Sequence, residues 1–294
     1  MPDPAPIPDE LGAAFSTAQA RRLETPSHRL RGGDLVAPYR GTRVRRDADS
    51  WEQRLRALTT VLPSGACFSH NTAARLWRLP LPLSLQEEDT VHVTVPATQA
   101  QPRRSGVVGH RAVREPVELR GLPVTSLADT WCDLASRLDL LDLVIAGDAL
   151  VNRQAGSFED PFAVDDLRLA WHRLGLRRHA RLAREAMDLV RPGSASPQET
   201  RARVLFHQWG LPEPELNVKL HSSTGWVATV DFLWRQRRVV GEYHGESHGK
   251  SWRADYRRQA TIGDLGFTVV VMTAYDLAGG APELRQRLTR LLLP

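Results

Sequence analysis

The chain has 294 residues, of which 41% are hydrophobic and 25% charged, with a formal net charge of +5 and a pI of about 9.7. This is the composition of a globular protein with room for two or three domains. Two cysteines, Cys67 and Cys132, exclude a disulfide framework and a cysteine zinc motif. No apolar run approaches membrane-spanning length and no signal pattern opens the chain, so we expect a cytoplasmic protein.

Arginine supplies nearly all of the positive charge, since lysine occurs only at positions 219 and 250. A guanidinium pairs with phosphate through two hydrogen bonds, so this bias favours DNA as a partner. A GC-rich genome, whose codons favour arginine, explains the same bias. The composition is therefore weak support for nucleic-acid binding.

The N-terminal region is predicted to be a DNA-reading module. Residues 1–10 are rich in Pro and Asp and are predicted to be a disordered lead-in. Residues 11–48 then read as a winged helix-turn-helix, with a short helix capped by Ser16 or Thr17, a second helix from Pro26 to Arg31, and a β-ribbon over residues 34–44.

In such a module the second helix enters the major groove and the ribbon lies on the backbone. The candidate DNA contacts are basic residues of the second helix and ribbon: Arg29, Arg31, Arg40, Arg43, Arg45 and Arg46. A small helical cap with solvated arginine side chains is the alternative.

Residues 49–152 are predicted to form a mixed α/β middle domain. Helices are expected over 51–62, 69–77, 127–135 and 140–151, with strands over 91–95, 107–111 and 117–120. His70, His92 and His110 show no metal-ligand spacing, so we interpret them as structural or surface histidines. Asp133 and Asp148 are interpreted as structural residues of helices.

Residues 153–192 are predicted to be a linker followed by one or two arginine-rich helices over 164–190. The basic face of these helices could lie along a phosphate backbone or be solvated.

Residues 193–294 are predicted to form a third domain. Ser196 caps a helix that ends at Gly210, and Pro197 takes its first turn. Strands follow over 216–220, 226–234 and 238–244, then a helix from 252, a buried strand over 267–272 and a closing helix over 283–293. The predicted order is α-β-β-β-α-β-α.

Two carboxylates in this domain stand in strand-like apolar runs. Asp231 lies within Val-Ala-Thr-Val-Asp-Phe-Leu-Trp, and Glu242 ends Val-Val-Gly-Glu. A carboxylate in such a setting costs free energy unless it is paired or metal-bound. Side by side on neighbouring strands, the two could hold Mg²⁺, or Mn²⁺, with the Tyr243 carbonyl as a further ligand.

Other residues are candidates for the same site. Glu199 could add a third carboxylate, and His244 could act as a general base. Arg258, one helical turn after Asp255, could hold phosphate. Three alternatives stay open. Glu199 could complement only its helix N-terminus, Asp255 and Arg258 could form only an intrahelical pair, and His244 with His248 could belong to an unrelated metal site.

A set of short motifs occurs in order over the last third: Ser196-Pro-Gln-Glu199, Gly210-Leu-Pro-Glu-Pro214, Val230-Asp231-Phe232, Gly241-Glu-Tyr-His-Gly-Glu-Ser-His248, Asp255-Tyr-Arg-Arg258 and Leu265-Gly-Phe267. The segment resembles the very-short-patch-repair-like endonuclease domain of the PD-(D/E)XK superfamily. That resemblance implies an Mg²⁺-dependent DNA endonuclease with Asp231 and Glu242 as metal ligands and Glu199 as the acidic residue of the helix. His244 departs from the pattern, since relatives commonly carry Asp there.

The first half is similar to proteins with an AbiEi-type antitoxin N-terminus. The matching stretches include residues 15–20, 39–41, 91–96 and 121–125. This resemblance implies DNA binding or transcriptional control more than catalysis.

Two functions therefore follow from the sequence. The first is an α/β protein that binds DNA and cleaves it with a metal-dependent endonuclease domain. The second is a non-enzymatic regulator or antitoxin-like protein that retains the nuclease fold. DNA is the expected partner and no membrane is expected, while a homodimer and a toxin or repair partner stay open.

Overall fold

The computed structural model describes residues 6–152, 162–175, 177–222, 225–245 and 252–294. Helices and mixed β-sheets together make an α/β fold, as predicted. No helix in these ranges is both long enough and apolar enough to cross a membrane.

The chain divides into two compact units, Met1–Arg137 with Ala170–Gly175, and Leu138–Leu169 with Leu176–Pro294. The predicted domain boundaries, at residues 48/49, 152/153 and 192/193, do not coincide with the boundaries of these units. In the first unit, the helix Trp51–Thr59 contacts the N-terminal strands, so residues 11–48 do not form a separate body.

The N-terminal part of the first unit is a small three-stranded antiparallel sheet. It comprises β1 (Ala14–Ser16), β2 (Leu35–Val36) and β3 (Thr42–Arg45), in the order β1-β3-β2. Helix α1 (Thr17–Arg22) is capped by Ser16, one of the two caps that the sequence predicted, and Ser16 forms a capping box with Gln19.

Two N-terminal predictions are wrong. The second helix is a single 3₁₀ turn, Arg29–Arg31, because the Arg29 side chain folds inward to Asp34 instead of lying on a helix surface. Residues 1–10 were predicted to be disordered, but residues 6–10 are ordered, and Ile7 is buried in a cluster with Leu11 and Phe15. Residues 1–5 lie outside the described residues.

The rest of the first unit is built on a five-stranded sheet in the order β6-β5-β4-β8-β7. Its strands are β4 (Cys67–Phe68), β5 (Val91–Val95), β6 (Val107–Arg111), β7 (Val117–Leu119) and β8 (Leu122–Val124). The β5–β6 and β4–β8 pairs are parallel, and the other two pairs are antiparallel.

Four helices accompany this sheet: α2 (Trp51–Thr59), α3 (His70–Leu76), α4 (Leu83–Gln86) and α5 (Leu127–Leu134). The sequence favours Thr125 or Ser126 as the cap of α5, and in the structure Ser126 caps it. Helix α3 contacts both α5 and β5, and every residue of β5 is buried. The strand therefore lies inside the unit with both faces covered.

The second unit begins with a helical layer. Its helices are α6 (Leu140–Val151), α7 (Val164–Leu174, shared with the first unit from Ala170), α8 (Ala180–Leu189) and α9 (Pro197–Gln208). Helix α6 contacts α8 and α9. The predicted linker over 153–161 lies outside the described residues.

A four-stranded sheet completes the second unit. It contains β9 (Glu215–Ser222), β10 (Gly225–Trp234), β11 (Val239–Tyr243) and β12 (Thr268–Met272), in the order β12-β11-β10-β9. Strands β9, β10 and β11 are antiparallel neighbours, while β12 is parallel to β11. With α10 (Trp252–Asp264) and α11 (Pro282–Leu292), the order α-β-β-β-α-β-α is confirmed.

Separate apolar clusters flank this sheet. Phe206 of α9 packs with Phe232 and Trp234, and Leu288 of α11 belongs to the same cluster. A second cluster joins Val240 to Ile262 of α10. Because alternate residues of a strand share a face, Glu242 points the same way as Val240, toward α10.

Candidate functional site

Asp231 lies on β10 beside Phe232, which is fully buried. Its Oδ2 accepts a hydrogen bond of 2.7 Å from the backbone N–H of Tyr243 on β11. Burial raises the pKa of Asp231 to about 6, with Glu199 and Glu242 adding to the rise, while the Tyr243 N–H opposes it. Asp231 is thus a carboxylate whose charge a nearby cation would stabilise.

Glu242 is the more deeply buried carboxylate, with 2% of its surface exposed. Its Oε2 accepts a hydrogen bond of 3.0 Å from Arg258 of α10 and lies 3.4 Å from His244 Nε2. Its Oε1 has no hydrogen-bond partner among the described residues. A buried carboxylate oxygen that accepts no hydrogen bond costs free energy, and coordination to a metal ion would offset that cost.

Glu199 stands in the first turn of α9 and is 8% exposed. Its Oε2 accepts hydrogen bonds of 2.8 Å from the N–H of Ala195 and of 2.8 Å from Asn217 Nδ2. Glu199 thus complements the helix N-terminus, and its charge also contributes to the raised pKa of Asp231. The helix-complementing role that the sequence left open is therefore observed, and the role of Glu199 as a third carboxylate of a metal site stays a prediction.

Asn217 of β9 is a residue that sequence reasoning missed. It has a left-handed backbone (φ 46°), and its side-chain amide also donates to the Gly193 carbonyl at 2.6 Å. Asn is among the residues that adopt this conformation most readily. The local sequence around Asn217 does not indicate a functional role, because that role depends on its hydrogen bond to Glu199 of α9.

The structure therefore brings Asp231, Glu242, His244 and Arg258 together, with Glu199 within electrostatic range of Asp231. The contact described for Tyr243 is through its N–H, not through the carbonyl that the sequence suggested as a ligand. His248 and the side chain of Asp255 lie outside the described residues.

Among the described residues, this site contains three carboxylates and one guanidinium, and its carboxylate oxygens do not form a set within 4.8 Å of one another. In the described ranges, the His, Cys, Asp and Glu set whose ligand atoms all lie within 4.8 Å of one another is His70, His92 and His110. The sequence analysis interpreted these three histidines as structural or surface residues, since they come from three separate elements and form no local motif.

The predicted DNA-contacting arginines differ in exposure. Arg29 is 6% exposed and forms a bidentate pair with Asp34, with distances of 2.8 and 2.6 Å. Arg43 donates to the carbonyls of Leu30 and Thr42, and burial lowers its pKa. These contacts correct the prediction that both side chains face DNA.

Arg31 and Arg40 are exposed and are therefore accessible to a phosphate backbone. Arg45 is half-buried and donates to the Ile7 carbonyl at 3.2 Å, whereas Arg46 is exposed and donates through Nε to the Gly33 carbonyl at 2.6 Å. The accessible basic surface of this region is smaller than the sequence predicted.

Comparison with known proteins gives relatives of the whole chain. An uncharacterized protein of Mycobacterium tuberculosis strain CDC 1551 is 27% identical over 269 residues, which cover 90% of this chain and 94% of that protein. An uncharacterized protein of strain H37Rv matches with the same identity and coverage. The similarity thus extends over both units. No protein-family model and no solved structure matches the chain.

Proposed function

We propose that this protein is a DNA-binding, metal-dependent endonuclease that hydrolyses phosphodiester bonds. The observation that carries the proposal is the pair formed by Asp231 and Glu242 on neighbouring strands, in which Glu242 has a buried oxygen without a described hydrogen-bond partner. The α-β-β-β-α-β-α order around that pair supports the resemblance to PD-(D/E)XK nucleases.

The residues of the site fit Mg²⁺ or Mn²⁺, since both ions prefer oxygen ligands and this donor set is rich in carboxylate. When bound, the ion would neutralise phosphate charge and lower the pKa of an attacking water. Asp231 and Glu242 would hold it, and Glu199 would add negative charge from α9.

Two further side chains take part in the proposed reaction. His244, 18% exposed and 3.4 Å from Glu242, would accept the proton of the attacking water. Arg258, whose guanidinium donates to Glu242, would hold a phosphate oxygen of the substrate. Arg31 and Arg40 would contribute affinity for the DNA backbone.

A plasmid-nicking assay tests the catalytic claim. We expect the wild-type protein to nick supercoiled DNA with Mg²⁺ or Mn²⁺, and Asp231→Asn or Glu242→Gln to slow nicking by about 100-fold or more. Loss of an outer partner of a metal site already costs about 10- to 100-fold, and these residues would be direct ligands. Glu283→Gln, an exposed carboxylate at the start of α11, is the matched control and should nick normally.

The catalytic claim fails if the wild-type protein nicks supercoiled, linear and mismatched DNA no faster than the Asp231→Asn, Glu242→Gln double variant. Salt-sensitive DNA binding that persists in that case would support the non-enzymatic regulator instead.

A further inference from the structure

Three histidines converge in the first unit. His70 begins α3, and His92 and His110 lie on the adjacent parallel strands β5 and β6. His92 Nδ1 is 2.9 Å from His110 Nε2, and one ligand nitrogen from each ring lies within 4.8 Å of the others. The ring centroids of His70 and His110 are 3.8 Å apart and stacked, and those of His70 and His92 are 5.4 Å apart.

The backbone at His70 is strained. Its φ of 51° lies in the left-handed region, which non-glycine residues seldom adopt. Ser69 Oγ lies 3.0 Å from His70 Nδ1, and the same hydroxyl accepts a hydrogen bond of 2.8 Å from Thr94 of β5. The fold therefore holds His70 over the two strands by buried contacts, and the ring is 8% exposed.

The imidazoles are in the protonation state that metal binding requires. Burial, together with the neighbouring histidines, lowers the pKa of His70 to about 2 and that of His110 to about 4. The pKa of His92 is lowered as well, again chiefly by burial. At neutral pH each ring therefore keeps a nitrogen lone pair.

Two carboxylates lie behind these rings. Glu88 Oε1 is 3.6 Å from His92 Nε2, and Asp133 Oδ2 is 3.8 Å from His70 Nδ1. Arginines fix both carboxylates, with Arg137 at 2.6 Å from Glu88 and Arg114 at 2.5 Å from Asp133. In metal sites such carboxylates orient the ligating histidine from its far side.

Both of these contacts are longer than a hydrogen bond. His92 Nε2 and Asp133 Oδ2 are buried and have no hydrogen-bond partner in the described part of the chain. His92 is 2% exposed, so water does not compensate at its surface. Glu88 and His70 are the groups that lie closest to these two atoms, at 3.6 and 3.8 Å respectively.

The charges around the cluster are balanced. Three carboxylates and three guanidiniums form ion pairs there: Glu88, Asp129 and Asp133 with Arg114, Arg137 and Arg173. The arginines are held by these pairs, which reduces their repulsion of a cation.

We propose that His70, His92 and His110 bind a divalent transition-metal ion of the zinc class through one imidazole nitrogen each. Nitrogen ligands select Zn²⁺ and its neighbours over Mg²⁺, and three of them leave a fourth position for water or another ligand. Tetrahedral Zn–N bonds of about 2.0–2.1 Å place two ligand nitrogens about 3.3 Å apart, close to the His92–His110 separation.

Ligation requires a small rearrangement. An imidazole lone pair lies in the plane of its ring, and the rings of His70 and His110 are stacked with an interplanar angle of 17°. One of the two must rotate about its side-chain torsions for both to address one ion. His110 is the half-exposed member, so its ring has the greater freedom.

Metal-binding measurements on the full chain test this site separately from the carboxylate pair. The background is a chain carrying Asp231→Ala and Glu242→Ala, treated with EDTA and then dialysed against Zn²⁺. We expect about one Zn²⁺ per chain in this background, at least tenfold weaker binding on adding His110→Ala, and loss of binding on adding both His92→Ala and His110→Ala. His207→Ala, an exposed histidine of α9, is the matched control and should bind normally.

A second readout needs no change in the cluster. Co²⁺ titrated into the same background should give a visible d–d absorption band, and X-ray absorption of the Zn²⁺ form should show three imidazole ligands. The proposal is overturned if the background chain binds neither ion, or if bound Zn²⁺ lacks imidazole ligation. It is equally overturned if a folded His92→Ala, His110→Ala chain, checked by circular dichroism, binds as much Zn²⁺ as the background.

Discussion

Arg29 and Arg31 are two residues apart in one basic segment, yet they face different surroundings. Arg29 is buried and held by Asp34, whereas Arg31 is exposed. The pair with Arg29 also lowers the pKa of Asp34, mainly through their hydrogen bond. A guanidinium fixed in this way stabilises the fold of the N-terminal sheet and is not available to bind a phosphate.

We therefore predict that substitution of Arg29 destabilises the protein and that substitution of Arg31 leaves its stability nearly unchanged. Arg29→Ala should lower the free energy of unfolding by about 1–3 kcal/mol, because it removes a buried side chain together with its two hydrogen bonds to the exposed Asp34 carboxylate. Arg31→Ala should change that free energy by less than about 0.5 kcal/mol. Urea denaturation of the two variants measures both values, and equal losses would contradict the assignment.

The carboxylate pair could be predicted from the sequence, whereas the histidine cluster could not. Asp231 was conspicuous because a charged residue interrupts an apolar strand, and that signal is local. His70, His92 and His110 carried no such signal, since the pairing of β5 with β6 and the packing of α3 bring them together. Contacts of that range depend on topology, which periodicity does not encode.

At the scale of elements, α6 and α9 are joined by a buried polar network. Asp148 of α6 accepts hydrogen bonds of 2.8 Å from Thr200 and 2.9 Å from Arg203 of α9, and a further one from the N–H of Arg191. Asp148 and Arg203 are both at most 3% exposed. Asp148 thus has a structural role, as expected, and it fixes the helix that carries Glu199.

Removing one partner of this network should be costly. Asp148→Ala should destabilise the protein by about 3–5 kcal/mol, because it leaves Arg203 as a buried charge without its partner. Asp188→Ala, an exposed carboxylate of α8, is the matched control and should cost less than about 1 kcal/mol. Chemical denaturation compares the two, and a similar small cost for both would rule out the proposed role of Asp148.

Most elements were predictable because their signals are local. Ser16, Ser126 and Ser196 each cap the helix that the sequence assigned to them, and apolar runs marked β10, β11 and β12. The prediction of a second N-terminal helix was wrong because side-chain contacts to residues outside this segment decide its conformation. The Arg29–Asp34 pair and the donation from Arg43 to the Leu30 carbonyl favour a tight turn over a helix. Such side-chain contacts outweigh helix propensity, which is a weak preference.

At the scale of the whole molecule, the positive net charge makes any DNA binding sensitive to salt. Each phosphate neutralised by an arginine contributes about −0.9 to the slope of log affinity against log salt. Arg31 and Arg40 are exposed members of the predicted contact set, and Arg46 is a third, whose Nε donates to the Gly33 carbonyl. Their contribution is therefore measurable as a change in that slope.

We predict that replacing Arg31 and Arg40 together by Ala weakens binding to duplex DNA and reduces the magnitude of the salt slope by about 2. Arg285→Ala, an exposed arginine of α11, serves as the control and should leave the slope unchanged. Fluorescence anisotropy at several salt concentrations provides the comparison. An unchanged slope in the double variant would show that these arginines do not contact phosphate.

The parallel pairing of β11 with β12 has a consequence for the order in which the second unit forms during synthesis. Asp231 and Glu242 belong to a hairpin, so they can meet as soon as β10 and β11 have emerged from the ribosome. Arg258 follows on the crossover helix, and β12 closes the other side of β11 later still. The hairpin that carries the acidic pair is therefore synthesised before the guanidinium that pairs with Glu242, and β11 has an open edge until β12 is available to pair with it.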